Sequence, residues 1–166
     1  DATVINDDKK AVAQAITDAA VKEAGYDDMA AAAADGVAFV FMGHGTSHTA
    51  NVTYDQMQTQ MENLEFTNAF IGTVEGEPED TACEAVIEKV KDAGFKKVIL
   101  RPLMVVAGDH ANNDMAGDDE DSWKTQFVES GAFDSVESQI EGLGRIDAVE
   151  QLYVAHTQAA IDSLGK

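Results

Sequence analysis

The chain has 166 residues, enough for one domain with a substantial core. Apolar residues make up 45% and charged residues 25%, and no apolar run approaches the ~20 residues that span a bilayer. Eleven Lys+Arg against 31 Asp+Glu give a net charge of −20, which argues against nucleic acid and anionic lipid as partners and for cations.

The first element in chain order is a helix over 7–24. Asn6 reads as its N-cap, Asp7 and Asp8 suit the first turn, Val12, Ile16, Ala19 and Ala20 recur at helical spacing, and Gly25 stops it. An alanine-rich acidic stretch, 26–35, reads as a connection or a short helix. Val37 to Met42 is a continuous apolar run between Gly36 and Gly43, the pattern of a strand buried on both faces. The unit then repeats. Residues 52–64 read as a helix and 68–74 as the second strand. Pro78 stands where a helix over 79–93 can begin, with Ala82, Val86 and Val90 on one face and Gly94 as its stop. Residues 96–106 hold the third strand, 120–130 a helix, 135–141 a fourth strand and 146–164 the last helix. Strands alternating with helices predict an α/β fold, a mainly parallel four-stranded sheet flanked by helices.

In open α/β sheets, ligands bind beyond the carboxyl ends of the strands. Three loops lie there: Gly43 to His48, Glu75 to Glu77, and Gly108 to Asp114. His44 follows the first strand between two glycines. Glu75 ends the second, with Glu77 as a competitor for its role. His110 follows the third, near Asp109 and Asp114. Taken singly, each has a bland reading: a histidine bonded to a loop carbonyl, or a solvated acid before a helix. Taken together, two imidazoles and a carboxylate at adjacent strand ends suit a borderline divalent cation with positions left open.

Other candidates carry less. His48 reads as a neighbour supporting His44, and His156 as a packed residue of the last helix. Cys83 has no partner cysteine, so it reads as a small buried side chain, and a chain with no disulfide framework fits a reducing compartment. The acidic run Asp118 to Asp121 lacks the alternating ligands and glycine of an EF-hand. No phosphate-binding glycine loop and no GxSxG elbow occurs. The cytoplasm is the expected compartment; because the chain starts at Asp1 without a methionine, an exported form stays open.

Three stretches carry a resemblance: VFMGHGTSHTAN (40–51), GTVEGEP (72–78) and RPLMVVAGDHANNDMAGDDEDSWK (101–124). They resemble the anaerobic sirohydrochlorin cobaltochelatases of cobalamin biosynthesis, members of the class II chelatase superfamily with ferrochelatase. The resemblance runs from about Val4 over nearly the whole chain. It implies a lyase that inserts Co²⁺ into the tetrapyrrole sirohydrochlorin, with Fe²⁺ or Ni²⁺ as other metals and no prosthetic group. It implies His44, Glu75 and His110 as the metal-binding and catalytic trio, and favours Glu75 over Glu77. The family has two similar domains with the tetrapyrrole between them, so residues 1–166 are expected to be a carboxyl-terminal domain whose amino-terminal partner is missing or is replaced by self-association. In the mechanism it implies, one histidine, expected to be His44, accepts a pyrrole proton. Arg101, Lys124 and Arg145 are the cations expected to meet the ring's eight carboxylates. The rival reading is a protein of the same fold that binds metal or haem without catalysis. The segment after His110 is expected to form a flap or short helix near the cleft, anchored by Trp123 with Met115.

Overall fold

A computed structural model of the chain describes residues 2–164. Its framework is a four-stranded, all-parallel sheet: β1 (Val37–Gly43), β2 (Ala69–Thr73), β3 (Lys97–Pro102) and β4 (Ser135–Ser138), in the order β2-β1-β3-β4. The helices are α1 (Ala2–Glu23), α2 (Met29–Ala34), α3 (Val52–Asn63), α4 (Cys83–Asp92), α5 (Trp123–Glu129) and α6 (Asp147–Leu164).

The predicted burial of the first strand on both faces is what places it centrally. Alternate residues of a strand point to opposite faces. Val37, Phe39 and Phe41 pack with α1, α2 and α3, including Ile16, Met29 and Met61. Ala38, Val40 and Met42 pack on the opposite side with α4 and α5, including Val86, Val90 and Phe127. Every residue of β1 is buried, so neither face can carry a polar side chain. Chemistry is pushed to the strand's end.

That end is a topological switch. After β1 the chain crosses to β2 on one side, then returns to lay β3 on the other. The loops leaving β1 and β3 part there, the usual ligand crevice of such sheets.

Several expectations need correction. α1 already runs from Ala2, so Asn6 lies inside it rather than capping it. The acid expected in a first turn, Asp8, instead accepts a hydrogen bond from His156 Nε2 of α6 at 2.8 Å. A cross-helix contact replaces the local cap. His156 is consequently an exposed pairing residue rather than a packed one. Pro78 begins only a single 3₁₀ turn, Glu79–Thr81, and α4 starts at Cys83 because Ala82 is extended (ψ 154). β4 ends at Ser138, short of the expected 141. Among the described residues, no helix is long and apolar enough to cross a membrane.

Candidate metal centre

The three predicted loops come together because the parallel ladder continues past the strands. The Val74 amide donates to Gly43 O at 3.0 Å, and the Glu75 amide to His44 O at 2.9 Å. These bonds hold the loop after β2 against the loop after β1. On the other flank the Leu103 amide donates to Met42 O at 2.7 Å, fixing where the β3 exit starts.

Gly-His-Gly is the sequence that this geometry needs. A Cβ on Gly43 would sit 2.4 Å from Cε1 of Tyr54, so only glycine lets the ring lie under the loop. Gly45 has φ +90, a conformation that side chains resist, and its amide donates to the Tyr54 hydroxyl at 2.9 Å. His44 is thereby pinned on both sides.

His110 opens a π-helical turn, His110–Met115, rather than lying in the expected loop. Such turns are rare and often mark functional sites. The wide turn puts residue 114 beside residue 110, and Asp114 Oδ2 bonds His110 Nδ1. Asn113 and Asn112 brace the turn by donating to Asp109 Oδ1 at 2.6 Å and Gly108 O at 2.7 Å.

The trio converges. His44 Nε2 lies 3.1 Å from His110 Nε2, with the rings edge to face at 81°, and 3.9 Å from Glu75 Oε1. Tautomers follow from the Nδ1 partners. His44 Nδ1 is 3.0 Å from Gly45 O, an acceptor only, so it carries the proton. His110 Nδ1 faces the Asp114 carboxylate, so it does too. Both Nε2 atoms then turn lone pairs toward each other. Two facing lone pairs repel unless a proton or a cation lies against both. Two ligands about 2.1 Å from one ion at tetrahedral or octahedral angles stand roughly 2.9–3.4 Å apart, and the observed nitrogen separation falls in that window. Among the described residues no three such groups are already closed around one point. Glu75 is the one standing off, and its half-exposed side chain has room to swing.

Beside the trio, Glu75 and Asp114 line a cavity of about 360 Å³ with Glu84, Asp121 and Trp123. Trp123 is buried, with Gly72 and Val86 beneath its ring and Phe127 stacked at 6.0 Å. The expected flap is thus a turn followed by α5, and its tryptophan serves both the core and the cavity wall. Cys83 lines the same cavity from the buried start of α4. Burial pushes its thiol up to about 12, with Glu84 adding to the rise. Little thiolate exists near neutrality. Cys83 is therefore expected to stay unmodified by iodoacetamide at about pH 8 while the protein is folded, and to react once it is unfolded. Mass spectrometry reads the result, and rapid native labelling would contradict it.

Other expected residues lie elsewhere. His48 accepts the Ala50 amide at 3.1 Å and serves as a local cap. Arg101 is fully buried, donating to Glu23 at 2.6 Å, Gln139 at 2.8 Å and Glu141 at 2.9 Å, so it is not available to a ligand's carboxylates. β3 is buried on both faces from Val98 to Pro102, and Arg101 points to the side where Glu23, at the end of α1, meets it. Lys124 pairs with Asp118 and lowers that carboxyl's pKa. Arg145 alone of the three borders open space. Sequence reasoning assigned no role to Asp114 or Tyr54; the four-residue step from His110 to Asp114 was visible, but only a helical turn gives it meaning.

The sequence profile of the family described as Cobalt chelatase (CbiK) matches residues 5–162. The chain is 42% identical over 123 residues to a sirohydrochlorin cobaltochelatase of Salmonella typhimurium, covering 74% of this chain and 44% of that protein. It is 32% identical over 127 residues to the sirohydrochlorin cobaltochelatase CbiKC of Nitratidesulfovibrio vulgaris, covering 76% and 43%. The chain thus spans less than half the length of the curated relatives it matches. In fold it is similar to a cobalamin (vitamin B12) biosynthesis CbiX protein from Marinobacter aquaeolei VT8, with a TM-score of 0.61 at 12% identity, covering 78% of this chain and 98% of that one.

Proposed function

We propose, since the chain belongs to the cobalt chelatase (CbiK) family, that it presents Co²⁺ to sirohydrochlorin and promotes its insertion. The observation that carries this reading is the pair of imidazole nitrogens facing each other at 3.1 Å with their remaining protons committed elsewhere. In this reading His44, His110 and Glu75 hold the ion on the open side of the sheet's carboxyl edge. Three protein ligands leave positions for the ring nitrogens to enter.

The balance is simple. Two pyrrole N–H protons leave, the ring becomes a dianion, and Co²⁺ passes from protein to ring. As the ion moves off, the His44 Nε2 lone pair is released beside the ring and takes one of the protons; solvent takes the other. Glu75 offsets the cation's charge while it is bound. Asp114 keeps His110 in the ligating tautomer, as carboxylates behind metal-bound histidines commonly do. Cobalt is substrate here, and Fe²⁺ or Ni²⁺ can enter the same nitrogen and oxygen set, since affinity alone does not favour Co²⁺ over Ni²⁺. We place the reaction in the cytoplasm.

The trio is half exposed, so a ring lying on it leaves its other face to solvent. A second wall, from an amino-terminal domain of a longer protein or from a second copy of this chain, completes the cleft in this proposal. A strictly monomeric chain that turns over alone would remove that part of it.

The deciding experiment compares cobalt–sirohydrochlorin formation with the spontaneous rate. Acceleration that is lost in His110→Ala supports catalysis; binding of metal without acceleration supports the rival, non-catalytic reading. Asp114→Asn is expected to lower Co²⁺ affinity about 10–100-fold. An affinity unchanged by that substitution would deny Asp114 its orienting role.

A further inference from the structure

The turn that carries Glu75 is closed by a chain of buried hydroxyls. Thr73, the last residue of β2, is wholly buried, and Thr81, in the 3₁₀ turn Glu79–Thr81, is 3% exposed. Their Oγ1 atoms lie 2.6 Å apart. The Glu77 amide donates to Thr73 Oγ1 at 3.1 Å, and Thr81 Oγ1 donates to Pro78 O at 2.6 Å. A hydroxyl has one proton to give. Pro78 O can only accept, so the Thr81 proton is committed to it, and Thr73 is the donor of the hydroxyl pair. The chain therefore runs one way, from the Glu77 N–H through Thr73 and Thr81 to Pro78 O, and each proton in it has an acceptor. A buried polar network satisfied in this way is rigid and holds one geometry.

Glu75 sits inside this closure. Its own amide donates to His44 O at 2.9 Å, and the Val74 amide before it donates to Gly43 O at 3.0 Å. After it, the Gly76 amide donates to Thr73 O at 3.2 Å, with Gly76 at φ +62, and Glu77 is the residue whose amide Thr73 Oγ1 holds. The backbone is tied before, at and after residue 75, and both later ties lead to Thr73. Only the Glu75 side chain is left free, half exposed, with Oε1 at 3.9 Å from His44 Nε2. The Thr73 hydroxyl is no ligand itself. Its proton is committed, and Gly45 lies over it so closely that a Cβ there would stand 3.0 Å from Thr73 Cβ and 3.1 Å from Oγ1.

We infer that Thr73 and Thr81 are positioning residues for Glu75: their hydroxyl chain fixes the turn from which the carboxylate swings onto a metal held by His44 and His110. The inference rests on the chelatase reading, in which Glu75 is a ligand, and adds to it the residues that aim that ligand. A carboxylate swinging from a fixed base samples few positions. From a loose turn it samples many, and ordering it then subtracts from the binding free energy.

Thr73→Val removes the hydroxyl and keeps the branched shape. It is expected to lower Co²⁺ affinity about tenfold, the lower end of what residues behind metal ligands usually contribute, and Thr73→Ser is expected to restore most of it. Two readouts separate positioning from a general loss of stability. In a Glu75→Ala background, Thr73→Val is expected to have no further effect on Co²⁺ affinity. The visible spectrum of bound Co²⁺, which reports its ligand set, is expected to shift in Thr73→Val toward that of Glu75→Ala. Circular dichroism checks the fold. Thr81→Val breaks the same chain at its other end and carries the test if Thr73→Val does not fold. An equal loss in both backgrounds, no loss in the wild-type background, or a Co²⁺ spectrum unchanged from wild type overturns the inference. The chelatase reading fails separately: Glu75→Ala with unchanged Co²⁺ affinity removes Glu75 as a ligand and the inference with it. Glu75→Ala that lowers the affinity while neither threonine variant does strikes the hydroxyl chain alone.

Discussion

His44→Ala and His110→Ala are each expected to lower Co²⁺ affinity at neutral pH by roughly two orders of magnitude or more. Removal of a residue that merely orients a ligand already costs about 10–100-fold, and on the proposed reading a ligand itself is lost. The pH profile gives the sharper readout. Imidazole ligates only when neutral, so proton and metal compete for it. Free imidazole titrates near ~6.5. Affinity in the wild type should therefore fall as the pH is lowered, with a dependence approaching two protons, and each single variant should show a shallower slope. A site of carboxylates alone, such as Asp118 to Asp121, would hold its affinity down to roughly pH 4–5. Calorimetry of Co²⁺ binding between about pH 5 and pH 8 separates the two. A flat profile that neither substitution changes places the metal on the acidic surface and removes the trio.

The second large effect is on stability. Trp123→Ala is expected to cost about 3–5 kcal/mol, the usual range for deleting a buried aromatic. The ring is 3% exposed and lies so close over β2 that a Cβ on Gly72 would stand 2.3 Å from Cη2. Nothing small can refill that space, because the backbone of β2 is held by the ladder to β1. Urea unfolding followed by far-ultraviolet circular dichroism measures the loss. A cost below about 1 kcal/mol would mean that α5 can close over the gap, and that Trp123 is a cavity residue more than a core one. Gly72→Ala probes the same contact from beneath and is expected to cost about 1–3 kcal/mol by overpacking.

The elements best read from sequence are those whose signal is local. The unbroken apolar run before Gly43 forces a strand covered on both faces, and the alternation of strands and helices forces the parallel sheet. From these, the strand-end rule points to the three loops that carry His44, Glu75 with Glu77, and His110; only the resemblance favours Glu75 over Glu77. What was illegible depends on partners distant in the chain. Arg101 reads as a free cation until Glu23, 78 residues earlier, and Glu141, 40 residues later, are seen to enclose it. Asp8 reads as a helix-start acid until α6 folds back and His156 meets it. The π-helical turn has no periodic signature, so Asp114 could not be assigned to His110.

Tyr54 beneath the Gly43–His44–Gly45 turn has a kinetic consequence. Its hydroxyl already holds the Gly45 amide, and its ring already fills the space under Gly43. The loop therefore loses little conformational freedom when an ion arrives, and ordering it withdraws little from the binding free energy. On the chelatase reading, the speed of cobalt capture is then governed by how quickly the aqua ion exchanges its water for imidazole, with no slow loop closure ahead of it. The same rigidity favours release. On that reading, a histidine that cannot follow the departing ion keeps its place while the ring nitrogens take over, and of the trio only the Glu75 side chain has to move.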